Sequence, residues 1–283
     1  MQSILSIQSH VVYGYVGNKA ATYPLQALGY DVWPINTVQF SNHTGYKKWQ
    51  GEIVSAHHIK NLAQGIIDIG QADKCVAILS GYMGSRDTCE AVESIVTNFK
   101  AINPTIMYLC DPVIGNNNCY VKPEVLDFFK NNLQADIITP NHYEAETLSG
   151  MQITDYSSLV KISDFFINLN IKIIIITGVK LENNKNNLCT FISDGQDNYL
   201  IGNKKYDFDW PLNGTGDLLS ALYLGYYLKS KNMANALQNA LFYMQKVMDN
   251  TYALKAKELQ VTSAKYESIN DDDLPSLIRI KRL

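Results

Sequence analysis

Short runs of apolar, mostly β-branched residues alternate along the chain with longer amphipathic segments. The short runs cover residues 3–8, 32–38, 76–80, 105–110, 137–139 and 172–177. Several are apolar at consecutive positions, a pattern typical of strands buried on both faces of a parallel sheet. The amphipathic segments, with apolar residues at helical spacing, cover residues 18–28, 58–69, 86–100, 123–132 and 157–169. This alternation predicts an α/β fold with a mostly parallel central sheet covered by helices.

Two segments depart from this alternation. Residues 38–53 are rich in Asn, His, Thr and Gly, and we interpret them as extended structure that forms a small flap beside the functional site. Residues 189–193 and 199–202 are separated by a turn that contains Asp194 and Gly195, which predicts a hairpin. The asparagine-rich stretches 116–118 and 183–187, by contrast, are predicted to be polar loops.

The remainder of the chain and its composition indicate one globular domain spanning residues 1–283. Two further helices are predicted at residues 217–229 and 233–253, and there is no internal repeat or linker. The formal net charge of −3 argues against a nucleic-acid partner. No apolar run approaches the roughly 18 residues of a membrane span. Five scattered cysteines without a CxxC spacing indicate reduced thiols and a cytoplasmic location.

The strongest local signal is a glycine-rich turn that opens an apolar helix. Gly214, Thr215, Gly216 and Asp217 precede a run of leucines. Free backbone N–H groups at a helix start bind anions, and glycine permits a phosphate to approach closely. A carboxylate there would repel a phosphate, so Asp217 fits a general base that takes a proton from an attacking hydroxyl. The structural alternative is an ordinary helix with Asp in its first turn.

Two more acidic motifs follow predicted strands, at the edge where open α/β sheets bind ligands. Asp111 ends one strand, and Asn141 and Glu144 come after another. Glu144 could reach a metal-bound water or a phosphate-bound Mg²⁺, and Asp111 could help to neutralise ATP phosphates through the metal. The alternatives are an ordinary helix start for Glu144 and an Asp-Pro turn for Asp111.

A group of polar and aromatic residues is predicted at the same edge. Ser9 and His10 follow the first strand, residues 40–45 follow the second, and Tyr82 lies in a Ser-Gly-Tyr turn after the third. Together they suit a flat heteroaromatic ligand with polar substituents. For His10, His43 and Tyr82 taken singly, a packing or turn role is the more common explanation.

Several stretches together are familiar: SHVVYG at residues 9–14 with Gly17 and Asn18, NTVQFSNHT at 36–44, SGY at 80–82, DPV at 111–113, and GTGD at 214–217. With them the whole chain resembles the pyridoxal and pyridoxamine kinases, the vitamin B6 kinases of the ribokinase-like superfamily. The resemblance implies a ribokinase-like three-layer α/β/α fold. It also implies ATP-dependent phosphorylation of the 5′-hydroxymethyl group of pyridoxal in B6 salvage, with pyridoxamine and pyridoxine as further acceptors.

The resemblance also implies roles for residues at the phosphoryl-transfer and substrate ends. Asp217 would be the base, and Gly214, Thr215 and Gly216 would form the anion hole. The substrate end would comprise Ser9, bonded to the pyridine ring, with Thr44 and Tyr82 lining its pocket and His43 and Gly45 beside them.

At the nucleotide end, the resemblance implies that Asp111, Thr139 and Glu144 face ATP and its metal. Other expected nucleotide contacts are Asn141, Thr177, Asn203, Lys204, Lys205 and Tyr206. Kinases of this family use Mg²⁺, often with a monovalent cation such as K⁺, and usually form homodimers.

Two other functions stay open at this point. One is another small-molecule kinase of the same fold, for example for hydroxymethylpyrimidine, a sugar or a nucleoside. A Gly-Gly-rich turn after the first strand would favour it, whereas this chain has Ser9 and His10 there. The other is a non-catalytic binder of pyridoxal phosphate, against which the complete set from Gly214 to Asp217 argues.

Overall fold

The structure, a computed structural model, describes residues 1–181, 188–266 and 274–280. These residues form one continuous ten-stranded mixed sheet with helices on both faces, which confirms the predicted α/β fold. The predicted loop at 183–187 lies outside the described residues. No helix in the described part of the chain is both long and apolar enough to cross a membrane.

The strands lie in the order β10-β9-β8-β7-β6-β5-β4-β1-β2-β3. Their bounds are β1 (Ser3–Val11), β2 (Asp31–Phe40), β3 (Gly51–Ile53), β4 (Cys75–Ser80), β5 (Met107–Cys110), β6 (Ile137–Ile138), β7 (Ile173–Val179), β8 (Leu188–Ser193), β9 (Asn198–Asn203) and β10 (Ile278–Arg279). Strands β2, β1, β4, β5, β6 and β7 pair in parallel, and the outer strands pair antiparallel. The carboxyl ends of six strands therefore meet at one edge.

In the described residues, eight helices connect and cover the strands. They are α1 (Asn18–Ala27), α2 (Ala56–Asp68), α3 (Arg86–Ile102), α4 (Pro123–Asn132), α5 (His142–Ser149), α6 (Tyr156–Asn168), α7 (Thr215–Ser230) and α8 (Met233–Ala253). Helices α2 to α6 pack on one face of the sheet, and α1, α7 and α8 pack on the other. Strand residues alternate between the two cores, since Ile4 faces the second core and Leu5 and Ile7 face the first.

The structure corrects the boundaries of two strands that matter for the site. The first strand was predicted to end at residue 8, but β1 continues to Val11 because His10 and Val11 still pair with Gln39 and Phe40 of β2. Ser9 and His10 therefore lie within a strand. Similarly, β7 continues past Thr177 to Val179. The pairing partner, which the sequence pattern does not reveal, decides where each of these strands ends.

Two peripheral features complete the sheet. The predicted flap, residues 38–53, is extended as expected: β3 pairs antiparallel with the end of β2, and a 3₁₀ turn at Thr44–Tyr46 lies between them. Strand β10 was not predicted, because two residues are too few to show a period. It pairs with β9 and so adds a third strand to the predicted hairpin of β8 and β9.

Helix α7 has an unusual environment for its position. Its residues Leu218 to Tyr226 are all buried, so the helix is apolar around its whole circumference rather than on one stripe. Gly225 allows close contact with α1, since a Cβ atom there would lie 2.6 Å from Leu28 Cδ1. This packing fixes the direction of α7 and brings its first turn to the carboxyl edge of the sheet.

Asp136 connects three strands at the opposite, amino edge of the sheet. Its carboxylate accepts hydrogen bonds from the Tyr108 N–H at 2.9 Å and from Lys100 at 2.7 Å, and it pairs with Lys172 at 2.8 Å. Burial opposes ionisation of this carboxyl, but these donors outweigh it and lower the pKa of Asp136. The ionised side chain therefore stabilises the sheet.

We predict that Asp136→Asn lowers the free energy of unfolding by about 2 kcal/mol at neutral pH, because charged hydrogen bonds are lost from a side chain only 9% exposed. The folded-state pKa lies below the unfolded value, so this contribution exists above that value and disappears as the pH falls through the folded-state pKa. Urea unfolding of both proteins at pH 7 and at progressively lower pH measures it.

Asp127→Asn is the matched control. Asp127 pairs with Arg86 on the surface and is 57% exposed, so its replacement is expected to cost less than about 1 kcal/mol. Equal losses for the two variants, or a loss for Asp136→Asn that does not diminish in acid, would contradict the assigned role of Asp136.

Candidate functional site

A cavity of about 1130 Å³ opens at the carboxyl ends of the parallel strands, where the first turn of α7 meets the sheet. Nearly all of the predicted site residues line it, namely Ser9, His43, Thr44, Gly45, Tyr82, Asp111, Thr139, Asn141, Glu144, Thr177, Asn203, Lys204, Tyr206, Gly214, Thr215, Gly216 and Asp217. Lys205 is exposed and does not line the cavity. His10 does not line it either, because Ser9 and Val11 do and successive strand residues point to opposite faces.

The first turn of α7 presents unpaired backbone donors to the cavity. The N-terminal cap, Gly214, has the left-handed φ of 85°, and no side chain caps the helix. A Cβ atom at Gly214 would lie 1.9 Å from the Tyr15 carbonyl oxygen, so only glycine fits here. The N–H groups of Thr215, Gly216 and Asp217 precede the first intrahelical bond and have no helical partner. This arrangement is suited to binding an anion.

The Asp217 side chain lies in the same turn and faces the cavity. Burial raises the pKa of this carboxyl, and a hydrogen bond from the Gly17 N–H opposes the rise. A carboxylate can accept several hydrogen bonds, so this donor leaves acceptor capacity for a ligand hydroxyl. Its raised basicity and its place in the cavity suit Asp217 to act as a general base.

Asp111 and Glu144 place two more carboxyl groups beside Asp217. Both are buried. Burial, with the charges of Glu144 and Asp217, holds the pKa of Asp111 well above its usual range. Burial likewise raises the pKa of Glu144 to about 7. Three acids in one cavity favour a cation with a preference for oxygen ligands, such as Mg²⁺.

The contacts of Glu144 leave it little freedom to ligate a metal directly. One oxygen accepts hydrogen bonds from the N–H groups of Ile114 at 2.8 Å and Gly115 at 3.3 Å, and the other accepts from the Asn141 N–H at 2.8 Å. Asn141 in turn accepts from the Glu144 N–H, which completes a capping box. The structural alternative for this motif is therefore confirmed, because Glu144 caps α5. Glu144 also lines the cavity, and its contact with a metal-bound water stays a prediction. Within the described residues, no group of three His, Cys, Asp or Glu side chains could hold a metal ion.

Two residues of the site were not identified from the sequence. Ser220 hydrogen-bonds to Thr139 at 2.8 Å and donates to Asp111 at 3.4 Å, so it links two site residues from helix α7. Its position three residues after Asp217, on the same helix face, was the available signal. Gly17 donates to Asp217, and a Cβ atom there would lie 2.0 Å from the Ser9 carbonyl oxygen.

The end of the cavity predicted to take the substrate is formed by the flap and the ends of β1 and β2. The β1–β2 register shifts at Ser9, an irregularity that is common beside active sites. His43 Nδ1 accepts a hydrogen bond from the Gly45 N–H at 3.1 Å. Burial lowers the pKa of His43, against the nearby charge of Glu258, so the imidazole is neutral at pH 7. On the opposite side the Thr37 hydroxyl donates to the Tyr82 carbonyl at 2.9 Å.

The end of the cavity predicted to take the nucleotide is formed by β7, β9 and the chain after β9. Asn203 donates to the Thr190 hydroxyl at 2.8 Å. Lys204 pairs with Asp249 of α8 at 2.5 Å, and the Tyr206 hydroxyl donates to the same carboxylate at 2.9 Å. Asp249 therefore fixes two of the predicted nucleotide contacts against α8.

The sequence matches a family model described as phosphomethylpyrimidine kinase over residues 34–262. It is 37% identical to the pyridoxal kinase PdxY of Vibrio vulnificus, over 95% of this chain and 94% of the relative. It is 35% identical to the pyridoxal kinase PdxY of Histophilus somni, over 99% of this chain and 100% of the relative.

Solved structures agree with these relatives. The pyridoxal kinase of Leishmania donovani in complex with ADP and ginkgotoxin superposes with a TM-score of 0.89 at 28% identity, over 99% of this chain and 100% of that one. The same kinase with ADP and pyridoxine gives a TM-score of 0.88 at 28% identity, over 99% of both chains. With the cavity, the open first turn of α7 and the near full-length similarity established, the chain belongs to the pyridoxal kinases of the ribokinase-like superfamily.

Proposed function

We propose that this chain transfers the γ-phosphoryl group of ATP to the 5′-hydroxymethyl group of pyridoxal, and also accepts pyridoxamine and pyridoxine, in vitamin B6 salvage. One observation carries the proposal: the Asp217 carboxylate and three unpaired N–H groups lie in the same helical turn, within one cavity. A base for the hydroxyl and a charge sink for the phosphoryl group are thus adjacent.

In the proposed reaction Asp217 accepts the proton of the acceptor hydroxyl as that oxygen attacks the γ-phosphorus. The bond to the β-γ bridging oxygen breaks, and ADP leaves with the electron pair. The N–H groups of Thr215, Gly216 and Asp217 bind the negative oxygens of the transferring group. The Gly17 N–H holds Asp217 in position, because it is the donor to that carboxylate.

Asp111 and Glu144 are proposed to hold Mg²⁺ indirectly, through water or the phosphates, and the ion would neutralise phosphate charge. The raised pKa of Asp111, caused by burial and by its acidic neighbours, supports this assignment because it indicates a site that lacks positive charge. The hydrogen bonds that occupy both oxygens of Glu144 support indirect rather than direct ligation. A requirement for K⁺ and a homodimeric assembly stay predictions from the resemblance, and a cytoplasmic location stays a prediction from the scattered cysteines. Light scattering and activity measured with and without K⁺ test the first two.

The acceptor ring is proposed to lie between Tyr82 and the flap, with Ser9 hydrogen-bonded to the ring and Thr44 lining the pocket. The neutral His43 and the apolar side chains of Val38 and Phe40 suit a flat heteroaromatic ligand. At the other end, Thr177, Asn203, Lys204 and Tyr206 would contact the nucleotide. Lys205, which is outside the cavity lining, is not included.

Hydroxymethylpyrimidine is the competing acceptor, since the matching family model is described as phosphomethylpyrimidine kinase. The near full-length relatives named as pyridoxal kinases favour a B6 vitamer. Turnover with pyridoxal, pyridoxamine, pyridoxine and hydroxymethylpyrimidine, measured side by side as ADP release, decides between the two. Consumption of hydroxymethylpyrimidine alone would reverse the proposal, and ligand binding without ADP release would identify a non-catalytic binder.

We predict that Asp217→Asn lowers kcat for pyridoxal about 1,000-fold, because the amide retains the shape and an acceptor oxygen for Gly17 but cannot take a proton. Steady-state kinetics measures the loss. Nucleotide affinity, followed by the thermal shift that ADP produces, is expected to change little. Turnover within tenfold of wild type would remove Asp217 from the role of base.

We also predict that Gly214→Ala lowers kcat by about 100-fold or more, because its Cβ atom would meet the Tyr15 carbonyl and displace the donors of α7. Gly70→Ala is the matched control. It too introduces alanine at a positive φ, of 68°, but in open space, so it is expected to cost about 1 kcal/mol of stability and no activity. Equal activities of the two folded variants would contradict the anion-hole assignment.

A further inference from the structure

Glu258 lies after helix α8, more than 200 residues from the segments it contacts. The side chain is buried, at 8% exposure, and it does not line the cavity. One carboxylate oxygen accepts a hydrogen bond from the Tyr15 N–H at 3.2 Å. The other accepts from the Tyr46 hydroxyl at 2.5 Å. The carboxylate thus connects the loop that contains Tyr15 with the flap that contains Tyr46.

The contact with Tyr46 fixes the tip of the flap. Tyr46 closes the 3₁₀ turn that contains Thr44 and Gly45, both of which line the substrate end. Burial, together with the bond to Glu258, raises the pKa of Tyr46, so its hydroxyl remains a donor. The Tyr46 ring also meets Tyr13 edge to face at 6.1 Å.

The contact with the Tyr15 N–H fixes residues 14–17, the loop that enters α1. Gly14 has a φ of 93°, and a Cβ atom there would lie 2.4 Å from Glu258 Oε2, so the loop packs directly on the carboxylate. The same loop touches the phosphoryl-transfer end: the Tyr15 carbonyl packs against Gly214, and the Gly17 N–H donates to Asp217. Glu258 therefore contacts the flap through Tyr46, and it contacts the loop that lies beside the base Asp217.

An ordinary packing role does not account for a carboxylate at this position. Removing a carboxylate from water costs free energy that only its hydrogen bonds offset. The adjacent Leu259 already supplies the apolar contact to Gly214. What the carboxylate adds is a pair of directional bonds, one to each segment.

We propose that Glu258 is a positioning residue that ties the flap to loop 14–17 and so aligns the acceptor with Asp217. It acts through Tyr46 and Tyr15 and does not touch the reacting atoms. The proposal rests on the proposed function in one respect: the flap is taken to cover the acceptor rather than the nucleotide.

The first test measures the flap itself and needs no substrate. Lys47 and Lys48, directly after Tyr46, are exposed and are trypsin sites. Cleavage there is expected to be several-fold faster in Glu258→Gln and in Tyr46→Phe than in wild type, with cleavage elsewhere unchanged. Glu124→Gln, which removes an exposed glutamate paired only at 3.9 Å, is the matched control and should cleave like wild type.

The second test separates the acceptor from the nucleotide. Loss of one charged hydrogen bond is expected to raise KM for pyridoxal about tenfold in Glu258→Gln and in Tyr46→Phe, with KM for ATP within about twofold. The double variant should be no worse than the worse single variant, because both changes remove the same bond.

The outcomes distinguish the two proposals. Wild-type cleavage rates and unchanged KM values in both variants would overturn the role of Glu258 and leave the kinase assignment intact. An equal rise in KM for both substrates would overturn it too, because it would indicate general loss of structure. Absence of pyridoxal turnover in the wild type would overturn the proposed function and, with it, the positioning role in acceptor binding.

Discussion

The site depends on one close contact, between the backbone at Gly214 and the Tyr15 carbonyl. That contact is possible only because Gly214 lacks a Cβ atom and adopts a left-handed conformation. It brings the loop after β1 against the start of α7, so the N–H of Gly17 reaches the Asp217 carboxylate. The first turn of α7, the proposed base Asp217 and strand β1 are therefore arranged by a single backbone approach. Helix α7, buried on every side, keeps that approach from relaxing.

Charge is the second constraint on this arrangement. Asp111, Glu144 and Asp217 share one cavity, and burial raises the pKa of each; for Asp111 and Glu144 the charge of Asp217 raises it further. Such a set is unfavourable in isolation and becomes favourable when cations and a polyanionic nucleotide occupy the site together. Before cations and nucleotide bind, hydrogen bonds hold two of the carboxyl groups in place. Backbone N–H groups donate to Glu144, and the Ser220 hydroxyl donates to Asp111. The site is therefore preorganised at some cost to the stability of the fold.

The sequence was informative where a function depends on local pattern. The parallel strands, the helices and the motif from Gly214 to Asp217 follow from periodicity and from the chemistry of a helix start. The ends of β1 and β7 did not follow, because pairing partners set them. Ser220 and Gly17 were missed for a related reason: their roles arise from contacts between distant segments. Lys205 was included by adjacency to Lys204, and alternation along an extended chain explains why it lies outside the cavity lining.

The same reasoning explains why the acceptor end is built differently from the nucleotide end. Rigid strands and α8 support the nucleotide contacts, with Asp249 holding Lys204 and Tyr206. The flap, in contrast, is a short antiparallel segment, and Thr44 and Gly45 at its tip are exposed. A segment with so little buried surface opens at low free-energy cost, and under the proposed function this opening would admit the acceptor. It must then be returned to one position for the hydroxyl to meet Asp217, and a directional bond such as that from Tyr46 to Glu258 defines a position more sharply than apolar contact does.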